Sequence, residues 1–351
     1  MLLVLLGSAL LLETGCHSIG PHTVSRDRLD YSEAIAQSWK HQTLLNLVRL
    51  RYRDTPMFLE VGQIVSGYTL ETAIEVSGEI ANEAGPGDTF LGLGASGKYT
   101  DRPTITYTPL TGDEFLIDLM RPVSITTILG LVQAGYDTDF ALELGVSRLN
   151  GLKNASVKGG KSYSADPQFL QAVDLLRRIQ EADALEVTLG NRATNGVIEL
   201  SFLEDNVPEK TLAEIQEVKR MLNLDAACNA YRVVTGSRSG AKGTLAVGSR
   251  SVLQIMIALS GFVQVAPKDV AEGRTFASFE VDAKSVPPLR VLSGDKAPKD
   301  AYVAVRYRNR WFWVDDCDWQ SKRTISTIQL LFTLANPIRQ QNLPQVTIPA
   351  Q

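Results

Sequence analysis

Apolar positions recur along this chain at two periods, and the switches between them outline its elements. Ile35, Trp39, Leu44, Leu45, Val48 and Tyr52 fall near a 3.6-residue spacing, which predicts a helix over 31–52 with Asp30 or Ser32 as N-cap. Pro56 disfavours helical backbone at the residue before it and ends that helix near Asp54-Thr55. Two β-type runs follow, 57–67 and 68–80, then a glycine-rich passage over 85–97 and a strand over 103–108. Residues 113–120 and 124–134 read as short helices. Residues 140–149 alternate Phe, Leu, Leu and Val with Ala, Glu, Gly and Ser, as a half-buried strand does.

Residues 153–165 (KNASVKGGKSYSA) carry almost no apolar side chain and predict a loop or linker. Asp166-Pro167 then supplies an N-cap and a first helical position. The helix it opens has Phe169, Leu170, Val173, Leu176 and Ile179 on one face. Strands are expected near 197–203, 231–235 and 244–247. A helix over 208–222 turns Leu212, Ile215, Val218 and Leu222 inward. The apolar stretch 252–265 is too short to span a bilayer and reads as a buried helix. A strand near 279–281, a hairpin over 301–315, a helix over 321–334 and a loose tail from 336 complete the chain. Strands and helices mix without βαβ alternation, so the expected class is α+β, in one large or two modest domains. The linker would separate an N-terminal region, 31–152, from a C-terminal one, 166–335.

Composition narrows the chemistry. With 44% hydrophobic and 21% charged residues among 351, the chain is expected to fold as a globular protein. A net charge of −4 implies neither a nucleic-acid partner nor a strongly anionic target. The three histidines are His17, His22 and His41, so the rest of the chain lacks the usual base of a catalytic triad and the usual zinc ligand. No metal and no cofactor is expected. Gly-Leu-Gly-Ala-Ser-Gly at 92–97 satisfies G-x-G-x-x-G, but a dinucleotide site needs that turn to open a helix. Here it opens Lys-Tyr-Thr-Asp-Arg-Pro, so a glycine-rich strand or hairpin is expected and no nucleotide. Arg49, Arg51 and Arg53 should spread around the surface at the end of the first helix and complement its dipole. Arg148, Arg177 and Arg178 read as surface charges.

The most distinctive stretch is AYVAVRYRNRWFWVDDCDWQSKRT, at 301–324. With Asn309-Arg310 as a two-residue turn, Arg308 would face Trp311 and Arg306 would face Trp313. Val305 and Val314 would then share the apolar side with Tyr307 and Phe312. The Arg/Trp face has two open roles: a self-satisfied cation–π ladder that stiffens the hairpin, or a surface for an envelope protein or glycan. Asp315, Asp316 and Asp318 follow at once. They could cap the final helix, pair with the arginines, or act as the carboxylates of a hydrolase. Cys228 and Cys317 form one possible disulfide.

The chain begins MLLVLLGSALLLETGCHSIG. Residues 2–12 are about half the ~20 needed to span a bilayer, but they fit the apolar core of a secretory signal. Leu12-Glu13-Thr14-Gly15-Cys16 resembles the lipobox of bacterial lipoproteins, with Glu13 where that pattern has Leu. The resemblance implies cleavage of a signal peptide, 1–15, lipid on Cys16, and a tether over 16–30. His17, in place of the Asp that retains such proteins at the inner membrane, implies the outer membrane. The expected role is that of a membrane-anchored structural or binding component. A carboxylate-based envelope hydrolase, or a cytoplasmic protein with a merely apolar N-terminus, are the alternatives.

Overall fold

The computed structural model describes residues 19–65, 68–78, 91–101, 104–110, 113–159, 161–190, 197–238, 241, 243–279 and 287–335. The segment expected to be a signal peptide, Cys16 and the tail from 336 lie outside them. The fold is α+β, as expected, with helices set among several small sheets. Two compact units emerge. The first comprises Met1–Gln37 and Leu59–Leu110, the second Ser38–Phe58 and Thr111–Gln351. The division expected at 153–165 is therefore not the one found.

Helix α1 (Ile19–Arg51) starts well before residue 31, so most of the expected tether is helical. Its residues from Ser38 on belong to the second unit. In the first unit, β1 (Leu59–Val65) pairs antiparallel with β4 (Thr104–Pro109), and β2 (Tyr68–Gly78) with β3 (Leu91–Asp101). Val65 faces Thr104 and, three positions on along each strand, Tyr68 faces Asp101, so both pairs share one register. A bulge between Val61 and Gln63 keeps Leu59, Val61 and Ile64 on the same face as Ile105 and Tyr107. The G-x-G-x-x-G segment lies within β3, as a strand.

The second unit opens with α2 (Asp113–Met120), α3 (Ile125–Gln133), α4 (Thr138–Gly145) and β5 (Val146–Leu149). The strand expected over 140–149 is thus a helix for its first half. The alternation misled because Ala141 and Gly145, read as solvent-facing, are buried along with Phe140, Leu142 and Leu144. A Cβ on Gly145 would lie 2.9 Å from Ile128 Cγ1, so this glycine marks a close approach between α4 and α3. The expected linker holds three short strands, β6 (Leu152–Lys153), β7 (Ser156–Lys158) and β8 (Lys161–Tyr163). It is pinned by Asn154, whose buried Nδ2 donates to the carbonyls of Glu143 at 2.8 Å and Val146 at 2.7 Å.

Helix α5 (Pro167–Glu181) starts at Pro167, with Asp166 as N-cap. Asp166 accepts the Lys153 N–H at 2.7 Å rather than one from its own helix. Phe169, Val173, Leu176 and Ile179 are buried as expected, whereas Leu170 is 42% exposed. The strands β9 (Leu185–Thr188) and β10 (Ile198–Phe202) come next, then α6 (Glu209–Met221), β11 (Ala230–Thr235) and β12 (Thr244–Ser249). They build a six-stranded sheet in the order β6-β5-β12-β11-β10-β9, in which only β11 and β12 run parallel. Leu200, Phe202, Tyr231 and Val233 are buried in it, and the Lys219 ammonium of α6 lies 5.9 Å from the Phe202 ring centre.

The unit ends with α7 (Val252–Ser260), α8 (Pro267–Ala271), β13 (Leu292–Gly294), β14 (Ala301–Tyr307), β15 (Arg310–Asp315) and α9 (Trp319–Ala335). Phe279 is not in a strand, and the rest of the strand expected there lies outside the described residues. Phe332 of α9 stacks on Phe58 at 4.9 Å and meets Trp39 of α1 edge-on at 5.6 Å. Helix α7 carries a reciprocal capping box. The Ser251 hydroxyl accepts the Gln254 N–H at 3.2 Å, while Gln254 Oε1 accepts the Ser251 N–H at 3.0 Å. Ser251→Ala should therefore cost about 1 kcal/mol, read as a lower denaturation midpoint by tryptophan fluorescence at unchanged slope.

Candidate functional site

The β14–β15 hairpin turns on Arg308-Asn309, one residue earlier than expected. Both adopt left-handed backbone, φ 47° and 64°, as a type I′ turn requires. Arg306 therefore pairs with Trp311, Ala304 with Trp313, Val305 with Phe312 and Val303 with Val314. The shift is even, so the faces are preserved while the pairs change. Val303, Val305, Phe312 and Val314 are all buried.

The four candidate residues are not brought into one ladder. Arg306 is exposed and sits opposite the half-buried Trp311. Trp313 lies between Ala304 and Leu292, with its ring 3.3 Å from where a Cβ on Gly294 would stand, so glycine there is what admits it. Arg308 leaves the strand altogether. Its guanidinium lies 5.1 Å from the Tyr52 ring centre and 5.6 Å from that of Tyr307, and it pairs with Asp54 at 3.2 Å. Cation–π contact does form, but with tyrosines at the turn.

Asp316 and Asp318 are occupied by the start of α9, and Asp315 by the turn before it. Asp318 Oδ1 accepts the Ser321 N–H at 3.1 Å, and its Oδ2 accepts the Ser321 hydroxyl at 2.8 Å. Asp315 Oδ1 accepts the Cys317 N–H at 2.8 Å. Asp316 binds the Lys322 ammonium at 2.8 Å, and the same ammonium donates to the Asp316 carbonyl at 3.0 Å. This is the chemistry of a turn and a helix cap, not of an acid/base pair held apart across a substrate. Cys228 is half-buried and Cys317 exposed; both are free thiols, so the possible bridge between them is not formed. Among the described residues, no group of three or more His, Cys, Asp or Glu is placed to hold a metal.

Several buried ionic groups were not anticipated. Arg51, expected on the surface, is completely buried. It donates to Ser278 Oγ at 2.9 Å and stacks 4.2 Å from the Phe276 ring centre, and burial lowers its pKa to about 10. It shares the i, i+4, i+7 stripe of the fully buried Leu44 and Val48, which is the signal that places it inward. Lys219, one residue after the buried Val218, meets Glu204 and Asn229, each at 2.8 Å. Arg250 donates to the carbonyls of Glu143 at 3.0 Å and Leu144 at 3.3 Å, and to that of Ala155. Arg177, by contrast, is the paired surface charge expected of it, bonded to Asp174 and Glu181.

A small recess of about 10 Å³, room for about one water molecule, lies between α1, α7 and α9 and is lined by Trp39, Phe58, Met256, Ile328 and Phe332, with Gln42, Thr43 and Gln329. Its lining has no titratable group. No family model matches this chain, and neither does any curated protein or solved structure.

Glu143 is the group poised to titrate. Desolvation pushes its carboxyl up to about 7, Asp139 and Asp174 add to the rise, and Arg250 opposes it. A carboxyl raised in the fold favours folding fully below its unfolded pKa, near 4.3, and loses that contribution as pH climbs through the folded value. The wild type should therefore lose stability between about pH 4.5 and 8. Glu143→Gln should flatten that loss and gain up to about 3 kcal/mol over the wild type at pH 8, measured by denaturant unfolding across pH.

Proposed function

We propose that this chain is a lipid-anchored lipoprotein of the cell envelope, held at the outer membrane through Cys16 and acting there as a structural or binding component. The observation that carries this reading is the apolar run 2–12 closing on Leu12-Glu13-Thr14-Gly15-Cys16. An h-region of that length followed by an acylated cysteine anchors a protein to a bilayer without spanning it. The capping of α9 by Asp318, and the pairing of Asp316 with Lys322, support a binding role over carboxylate hydrolysis. Exposed apolar side chains also support association. Leu116, Ile117 and Met120 on α2 are each about half exposed, and Trp319 is 60% exposed at the start of α9. On the hairpin, Arg306 and Trp311 present the pair that an envelope protein or glycan partner would meet.

The test is metabolic labelling with palmitate. The wild type should incorporate label and sediment with outer membranes, and Cys16→Ser should incorporate none. An unlabelled wild type that stays in the soluble fraction and retains Met1 would end this reading.

A further inference from the structure

The geometry points to β2 and β3 being one stave of a transmembrane β-barrel closed by several copies of this chain. The inference rests on the lipoprotein reading only in expecting a membrane nearby.

The pleat and the register sort the two strands by face. Leu70, Ile74 and Val76 share one face with Tyr99, Leu93 and Leu91 across the pair, a mainly apolar face that Thr72 interrupts and that ends at Asp101 opposite Tyr68. The other face takes Glu71, Glu75 and Ser77 with Ser96 and Lys98, and Glu71 stands opposite Lys98. Each strand has eleven residues. At ~3.3 Å per residue that is roughly 36 Å, and a tilt of ~45° brings it to roughly 26 Å, close to the ~25 Å apolar band of outer-membrane barrels. Tyr68 and Tyr99 fall near one end of the apolar face, where such barrels carry aromatic girdles.

Past Tyr68 and Asp101 the ribbon runs on in register into β1 and β4, so the eleven-residue pair is the part of a longer ribbon that would span the band. There Leu59 is 43%, Ile105 38% and Tyr107 56% exposed, and Thr104, Thr106 and Thr108 on the other face are exposed too, so neither side of the β1–β4 pair is covered. In water, a two-stranded pair with an open apolar face is marginally stable. In lipid, its outer edges would each present a row of unpaired backbone groups, and only a closed barrel removes them. Among the described residues, β2 and β3 have no strand partner other than each other.

Further copies of the same chain meet both demands. Antiparallel pairing of β3 from one copy with β2 from the next is a head-to-tail contact, and repeating it closes a ring. The smallest membrane barrels have ~8 strands, so at least about four copies are needed. The polar face then lines the lumen, with Glu71 and Glu75 against Lys98 leaving one net negative charge per copy. Such a pore prefers cations.

The test uses the full chain extracted in detergent and reconstituted into phosphatidylcholine–phosphatidylglycerol vesicles and planar bilayers. Expected are a complex of four or more copies, resistance of the protein to carbonate extraction, and conductance steps with cation preference. Ile74→Arg, at mid-strand on the apolar face, should reduce the carbonate-resistant fraction at least tenfold. Ala73→Arg, one residue along on the polar face, should leave that fraction intact and lower the cation-to-anion permeability ratio several-fold. Trp39, Trp311, Trp313 and Trp319 all lie outside the two strands, so unchanged tryptophan emission in both variants shows that the second unit is folded. Cys16→Ser protein, reconstituted in the same way, should still insert and conduct. Failure of palmitate labelling would thus overturn the lipoprotein reading while leaving the barrel standing. Equal effects of the two arginines, a detergent-solubilised monomer without conductance, or a lipid-free water-soluble assembly would each overturn the barrel.

Discussion

The end of α1 is the constraint on which the second unit is built. Four consecutive residues there each reach a distant segment. Arg51 donates to Ser278, and its own carbonyl accepts the Thr275 hydroxyl at 2.5 Å. The Tyr52 hydroxyl donates to Asp269 at 2.6 Å, while its ring meets Tyr307 and Phe312 of the β14–β15 hairpin. The Arg53 guanidinium lies 5.8 Å from the Phe276 ring centre, and its left-handed backbone, φ 66°, turns the chain out of the helix. Asp54 then holds Arg308 at the hairpin turn. A buried guanidinium is costly where its donors go unmet, and although Arg51 Nε is left without a partner, the bonds this group does make come from the 277–278 segment, which ties that segment to the helix end. The hairpin is therefore placed by the helix end, and its most distinctive residue, Arg308, serves that junction rather than the face it was assigned to.

Arg250 uses the same device. Its hydrogen bonds go to three backbone carbonyls on two sides of β5, which brings the end of α4 against the start of β7. Glu143 is close enough to oppose the lowering of the Arg250 pKa to about 10, yet burial holds its own carboxyl near neutrality. A cation satisfied by carbonyls fixes backbone rather than side chains. That explains how a segment as polar as 153–165 is held in paired strands: Asn154 and Arg250 supply the order that apolar contacts elsewhere supply.

Elements with a strong polar contrast could be read from the sequence, and those whose logic was tertiary could not. The buried stripe of α5, the bounds of α2 and the buried face of the β14–β15 hairpin follow from local periodicity alone. The helix over the first half of 140–149 was hidden because Ala141 and Gly145 are small for close packing, and small residues at alternate positions imitate a solvent face. The hairpin turn was missed because Arg308 takes a left-handed conformation usual for Asn or Gly. Arg51 was misplaced by its charge, although its spacing from Leu44 and Val48 put it on the inner stripe. For the candidate site, the capping role of Asp318 was visible in its position before α9, whereas the spread of Arg306, Arg308 and Trp313 over separate contacts depended on the register.

The glycine-rich segment shows how context decides a motif. As a phosphate loop it fails, because a strand follows from it rather than a helix. As the strand β3 it is weak on its own terms, since Gly92, Gly94 and Gly97 contribute no side chain and carry the entropy cost of ordering glycine. Gly92 and Gly94 stand in register opposite Ser77 and Glu75. A strand of that composition gains little from its own side chains, so backbone pairing on a second edge would add to its stability. The β2–β3 pair supplies one edge, and the other is what a neighbouring copy would provide.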